Sequence, residues 1–364
     1  MGNKFMQYVV GAALLSVSSF ALAQSSCTSA LSSYQAFVNA GNTSGAQGVV
    51  TNHPQCFGGS ASSQATMNAT TVAQTVAISN TLSNRLLSSG GPTTVASRGL
   101  FGMAAGGSID KWNVWGNVTD NTTKLNYTNT NSLNTTSKND ILTSIVGADY
   151  AISPTMVVGL SGSFDTGTGN ATTGANAQDS ISSSGYLFAP YFGMQLTKNL
   201  AMDTSVGFGN GKLGVGNGPQ SEASRRFGAA NLTYSQWYQS LQLTGKLGYL
   251  HSEENYGDSK SDGVTNANTK NKNTLDQFRI GAQAGYWING FMPYTGIAYT
   301  TDNRSTSNSA LAVDPVGKGA FIWSLGVNYF SLANKITGGI AYNQESNRTN
   351  SKNSNLMANI NIRF

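Results

Sequence analysis

Asn355-Leu-Met-Ala-Asn-Ile-Asn-Ile-Arg-Phe364 alternates strictly. Leu356, Ala358, Ile360, Ile362 and Phe364 fall on one face; Met357, Asn359, Asn361 and Arg363 fall on the other. Successive strand side chains point to opposite sides, so this is a strand with one apolar and one mainly polar face. It suits the edge of a soluble sheet. It suits equally the closing strand of a membrane barrel, where one face meets lipid and the other a wet lumen. The remainder of the chain decides between them.

Working back from this ending, eleven more segments read as strands: 110–119, 140–151, 155–165, 181–197, 199–209, 224–238, 240–251, 274–288, 291–301, 319–330 and 334–344. Their connections alternate. Ser153-Pro154, Thr197-Lys198, Gln239-Ser240, Asn289-Gly290 and Leu332-Ala333 mark tight turns. Between them the polar stretches 120–139, 166–180, 210–223, 252–273, 302–318 and 345–353 read as long insertions. Short turns at one end and long loops at the other are the asymmetry of an outer-membrane barrel. Twelve strands also return the chain to the end at which it started.

The faces agree. Tyr186, Phe188, Pro190, Phe192, Met194 and Leu196 oppose Leu187, Ala189, Tyr191, Gly193 and Gln195. Phe321, Trp323, Leu325, Val327 and Tyr329 oppose Ile322, Ser324, Gly326 and Asn328. Aromatics then fall at two levels. Trp112, Tyr150, Trp237, Trp287, Phe291, Tyr329 and Phe364 sit near the short turns; Phe164, Tyr186, Phe208, Phe227, Tyr249, Phe278, Tyr299, Phe321 and Tyr342 sit near the long loops. Two membrane–water interfaces select two such girdles. The fold expected is an all-β, transmembrane, twelve-stranded antiparallel barrel spanning 110–364.

The N-terminal part divides differently. Lys4, the apolar run from Tyr8 to Leu22 and the small-x-small site Ala21-Leu-Ala23 read as a secretory signal over 1–23. Residues 24–64 form a short exported segment rich in Ser, Gly and Ala, whose Cys27 and Cys56 are expected to pair in an oxidising compartment. Residues 65–91 read as a helix, with Val72, Val76, Ser79, Leu82 or Ser83 and Leu86 at helical spacing and Gly90-Gly91-Pro92 as its stop. A linker, 92–109, follows. The helix is too small and polar to span lipid, so it either stands in the barrel lumen or tethers the N-terminus in the periplasm. Lumen-facing Asp149, Asp203, Lys246, Arg279 and Arg363 are its natural partners, unless they pair only across strands.

In this order of signal, leader, helix, twelve strands and final aromatic, the chain resembles the β-barrel translocator domain of the autotransporter (type V secretion) family over about residues 67–364. The matching pieces are the helix near 67–89, Trp112-Asn-Val-Trp115-Gly, Gly147-Ala-Asp-Tyr150, Gly285-Tyr-Trp287, Pro293-Tyr-Thr-Gly-Ile-Ala-Tyr299 and Ile362-Arg-Phe364. The resemblance implies an outer-membrane barrel of a Gram-negative bacterium with its long loops outside. It implies insertion by the assembly machinery reading the strand that ends at Phe364, residues 67–89 as a pore helix, and an N-terminal segment anchored or translocated to the surface. The chain departs from the family in its very short passenger and in lacking paired asparagines in the helix, where Asn80 and Asn84 stand apart.

Other functions remain to be weighed. A porin-like channel plugged by the helix, and an adhesion protein acting through its external loops, fit the same barrel. An enzyme is not expected. The two histidines are His53 in the leader and His251, which stands beside Ser252 and near Glu253 and Glu254. Adjacent strand residues face opposite ways, which separates His251 from Ser252. No catalytic residue, metal or cofactor is assigned. The net charge of +5, reduced to +4 without Lys4, shows no basic cluster for nucleic acid. The partners expected are outer-membrane lipid and lipopolysaccharide, the assembly machinery and an extracellular ligand of the loops, for a monomeric protein.

Overall fold

The computed structural model describes residues 27–53, 61–86, 110–128, 134–173, 179–215, 220–261, 264–265, 267, 269–307, 316–331 and 334–364. The expected signal 1–23, the linker 92–109 and Cys56 lie outside them, and so does the Cys27–Cys56 pairing.

Twelve long strands form one antiparallel barrel: β1 Trp112–Thr128, β2 Asn134–Ser153, β3 Met156–Thr173, β4 Asp179–Gln195, β5 Leu200–Val215, β6 Gln220–Tyr238, β7 Leu241–Tyr256, β10 Asn271–Tyr286, β11 Phe291–Thr306, β12 Gly319–Ser331, β13 Ile336–Ser346 and β14 Ser351–Arg363. A two-residue-strand hairpin, β8 Lys260–Ser261 with β9 Val264–Thr265, decorates the β7–β10 connection. Each strand pairs with its sequence neighbours, and β14 closes the ring on β1 from Asn113↔Arg363 to Leu125↔Ser351. No sheet edge is left open among the twelve, as lipid requires.

The alternation read from the sequence is the alternation of the wall. Leu356, Ala358, Ile360 and Ile362 share the outer face with exposed Phe364, whereas Asn361 is buried on the inside. Outward aromatics sit directly opposite one another across strand pairs. Phe164↔Tyr186, Tyr249↔Phe278 and Tyr299↔Phe321 make the level toward the long connections; Trp112↔Tyr150 and Phe291↔Tyr329 make the level by the short turns. Three expected girdle members instead belong to the interior. Phe227 is buried on the inner face of β6, and Trp287 stands against both Trp237 and Phe330, at centroid distances of 6.5 and 5.1 Å. Their parity within their strands, not their height, decides the side.

The largest correction concerns the polar insertions. Much of 120–139, 166–180, 210–223 and 252–273 is strand: β2 has 20 residues and β6 has 19, whereas β13 has 11. A tilted strand needs only about 9–11 residues to cross lipid. The extra length of β1–β7 therefore continues as paired wall beyond the apolar band. There both faces carry Thr, Asn, Ser and charge, because the outward face meets water. Loss of the apolar alternation made these residues read as loops. Asn289-Gly290, with φ of 47° and 91°, is a tight turn as expected, since two successive left-handed residues match the twist of a hairpin.

The leader also carries structure that composition did not suggest. α1 (Cys27–Asn39) and α2 (Thr43–Asn52) form a helical hairpin over Ala30, Leu31, Tyr34, Ala46 and Val50. Gly41, at φ 68°, permits the reversal, and Asn42 Oδ1 caps α2 by accepting from the Gly45 amide at 2.9 Å. α3 (Ala61–Leu86) follows, 26 residues or about 39 Å of helix. Among the described residues no helix is long and apolar enough to cross a membrane.

Candidate functional site at the α3–barrel interface

α3 packs against β1–β7. Its buried stripe runs through Thr70, Thr71, Gln74, Thr75, Ile78, Thr81, Leu82, Arg85 and Leu86, the spacing of one helical face. Val72 and Val76, expected in that stripe, lie beside it and are half-buried. Two chemistries alternate along the contact. Ile78, Leu82 and Leu86 join the inward Trp115, Ile145, Val157, Leu187 and Phe227 in one apolar cluster. Between them, polar side chains bond the wall. Gln74 Nε2 donates to Ser161 Oγ at 3.3 Å, and Ser163 Oγ donates to Gln74 Oε1 at 3.0 Å. Lys246 Nζ donates to Asn80 Oδ1 at 2.5 Å, and Ser83 Oγ to Thr233 Oγ1 at 3.2 Å.

The C-terminal end is held most firmly. Arg85 Nη1 lies 2.6 Å from Asp149 Oδ1, and both side chains are buried. Arg85 Nη2 also donates to the carbonyls of Asp110 and Lys111, at 3.1 and 3.0 Å, just before β1 begins. Asp149 accepts from Asn113 Nδ2 at 2.9 Å and from the Tyr191 hydroxyl at 3.3 Å, and Tyr191 accepts from Trp115 Nε1 at 2.7 Å. Room for these rings comes from glycine. A Cβ on Gly147 would lie 2.4 Å from Trp115, and one on Gly159 would lie 2.3 Å from Tyr191.

A second ionic group bridges the upper wall without the helix. Arg225 on β6 reaches Asp165 on β3 at 2.8 Å and Glu254 on β7 at 2.6 Å, and Tyr256 donates to Glu254 at 2.6 Å. Ala171, Ile181, Leu213, Ala223 and Tyr256 form an apolar cluster beside it. Sequence reading found none of Asp165, Arg225 or Glu254 as interior residues. Their parity in longer strands was the available signal.

The five expected lumen charges thus divide. Asp149 and Lys246 meet α3, and Asp203 accepts from Asn231 Nδ2 at 2.7 Å and bonds Ser79 of α3. Arg363 occupies the inward face of β14, opposite Asn113. Arg279 does not meet α3 directly. It lines a cavity of about 230 Å³ between the exposed side of α3 and the inner faces of β7 and β10–β14. His251 and Ser252 do face opposite ways: His251 Nδ1 lies 2.8 Å from Asp276 Oδ1 outside, and Ser252 is buried inside. The outer group also holds Glu253, Arg226 and Lys272, with Lys272 Nζ 2.7 Å from Glu253. It is an ionic patch beyond Tyr249 and Phe278. Among the described residues no group of acids, histidines and cysteines is arranged to hold a metal ion.

No family model and no curated protein matches the chain. Solved structures do. The translocator domain of autotransporter NalP from Neisseria meningitidis is similar at a TM-score of 0.52 and 12% identity, over 81% of this chain and 99% of that one. The transport unit of autotransporter AIDA-I from Escherichia coli is similar at a TM-score of 0.52 and 14% identity, over 74% and 96%. At such identity the likeness is one of fold: a twelve-stranded antiparallel barrel.

Proposed function

We propose that the chain is an autotransporter-like barrel of the Gram-negative outer membrane that holds α3 in its lumen and thereby anchors its N-terminal helical hairpin at the cell surface. The observation that carries this reading is the row of bonds from Gln74, Asn80, Ser83 and Arg85 to inward side chains of β3, β7, β6 and β2. α3 runs down the wall, with Arg85 at the short-turn end beside Asp110 and Lys111. Residues before α3 then emerge at the end of the long connections, the outer side in this reading. The outward apolar band and its two aromatic levels favour lipid around the barrel. The ionic patch of Arg226, His251, Glu253, Lys272 and Asp276 sits at the height of lipopolysaccharide headgroups. β14, with its apolar outer face, is the strand for the assembly machinery to engage.

Whole-cell labelling tests this. After mild reduction, Cys27 and Cys56 should react with a membrane-impermeant maleimide on intact cells. Reaction only after the outer membrane is permeabilised would place the hairpin inside and sink the proposal. A helix-plugged channel is the second reading, favoured by the polar cavity beside α3. It predicts that deletion of residues 61–86 raises conductance in planar bilayers.

A further inference from the structure

The cavity beside α3 has an unbalanced wall. Its charged lining residues are Lys246, Arg279, Arg304, Arg348, Asp302 and Glu345. Both acids are already engaged. Arg348 Nη1 lies 2.7 Å from Asp302 and its Nε 2.8 Å from Glu345, while Arg304 Nη2 lies 2.5 Å from Asp302. Asp203, the next carboxylate along the wall, is bonded by neutral Asn231 and Ser79 and attracts Lys246 without forming an ion pair with it. Two cations are left without a carboxylate in direct contact. Among the described residues Arg279 makes no hydrogen bond or ion pair, and Lys246 bonds only the neutral amide oxygen of Asn80.

Register brings these two together. Lys246 stands opposite Gly281 and Arg279 opposite Gly248, so the two side chains are diagonal neighbours on the inner face of β7 and β10. Such neighbours lie about 7 Å apart. Like charges at that separation in a confined interior disfavour each other unless something neutralises them. The residues opposite the cations are glycines, so only the side chains of Asn231, beside Gly248, and Ala298, beside Gly281, crowd them there. Around them stand Gln283 and the Tyr294 hydroxyl, with Gln277 and Asn343, whose amides also donate to Asp302 and Asn355. A guanidinium fork, an ammonium and several amides are the donor set that recognises a small oxyanion.

We propose that Lys246 and Arg279 form a binding site for a small oxyanion, of the phosphate or carboxylate class, in the cavity between α3 and β10–β14. The anion bridges the two cations and removes their repulsion. The site rests on α3 standing in the lumen but not on any export, and a crosslink between Ser83→Cys and Thr233→Cys tests that placement by itself.

The test is calorimetric titration of full-length protein in detergent with inorganic phosphate and, in parallel, malonate. Sodium chloride holds the ionic strength constant, so general screening contributes equally throughout. Saturable binding of at least one anion is expected, weakened about tenfold by Arg279→Gln and by Lys246→Gln, the effect of losing one charge-assisted bond. Lys352→Gln, on the outer face of β14, should leave it unchanged. Arg279 has no hydrogen bond or ion pair to lose, and heat-modifiable migration on gels confirms that each variant barrel is folded. Absence of saturable binding to the wild type, or wild-type affinity in the Arg279→Gln and Lys246→Gln variants, would overturn the proposal.

Discussion

The two halves of the barrel wall share an outside and differ inside. Around the whole circumference the outward face is apolar and aromatic, from Phe188 and Val206 on β4 and β5 to Trp323 and Leu325 on β12. Inside, β1–β7 present buried Trp115, Ile145, Leu187, Tyr191 and Phe227 to α3. β10–β14 present half-exposed Arg279, Gln283, Tyr294, Ser324 and Asn355 to a cavity. One solvent, lipid, explains the common exterior. In the proposed arrangement the interior is set by what each strand faces: a helix on one side, polar space on the other. The longer strands also belong to the helix-backed half.

Substitutions on the two halves would break or sharpen this contrast. The largest effect is expected from Asp149→Ala, which strands buried Arg85. Breaking such a pair costs about 3–5 kcal/mol, read as a lowered urea midpoint in detergent. The double change Arg85→Met with Asp149→Leu should recover much of that loss, because no buried charge then remains. Outward Leu325→Arg and Val206→Arg should each cost about 2–4 kcal/mol for refolding into bilayers, equally on both halves. A negligible cost at either position would mean that lipid does not touch that face.

Smaller effects should divide the halves. Gly147→Ala pushes a methyl into the Trp115 ring and should cost about 1–3 kcal/mol. Gly285→Ala on the open half meets the flexible Met292 side chain at 3.2 Å and Tyr294 Cβ at 3.5 Å, and should cost well under that. Gln74→Ala removes the bond to Ser161, which still donates to the Ala189 carbonyl, and leaves the Ser163 hydroxyl without its acceptor, and should cost about 1–3 kcal/mol, whereas Gln283→Ala should stay within about 0.5 kcal/mol. Equal losses in the two halves would contradict an α3 that leans on one wall.

The exterior was the legible part of this chain. Lipid enforces a period of two, so the outer faces of β4, β5, β12 and β14 could be read residue by residue. The upper wall was hidden because water on the outward face removes that period, and Thr122, Lys138 and Glu222 then look like loop residues. The interior was legible only as unpaired charges. Asp149 and Lys246 could be identified as facing inward, but their partners depend on how α3 is rotated. That rotation is set by three apolar anchors, Ile78, Leu82 and Leu86, scattered through a polar helix. Phe227, Trp237 and Trp287 misled because position along a strand was weighed ahead of parity.

The central claim is that α3 stands inside the barrel along β1–β7. Ser83 and Thr233 have hydroxyls 3.2 Å apart, which suits a cysteine pair. With Cys27 and Cys56 changed to serine, Ser83→Cys and Thr233→Cys should form an intramolecular disulfide in intact membranes on mild oxidation, with a folded barrel by heat modifiability. A folded barrel in which both new thiols stay free to react with maleimide would contradict the account.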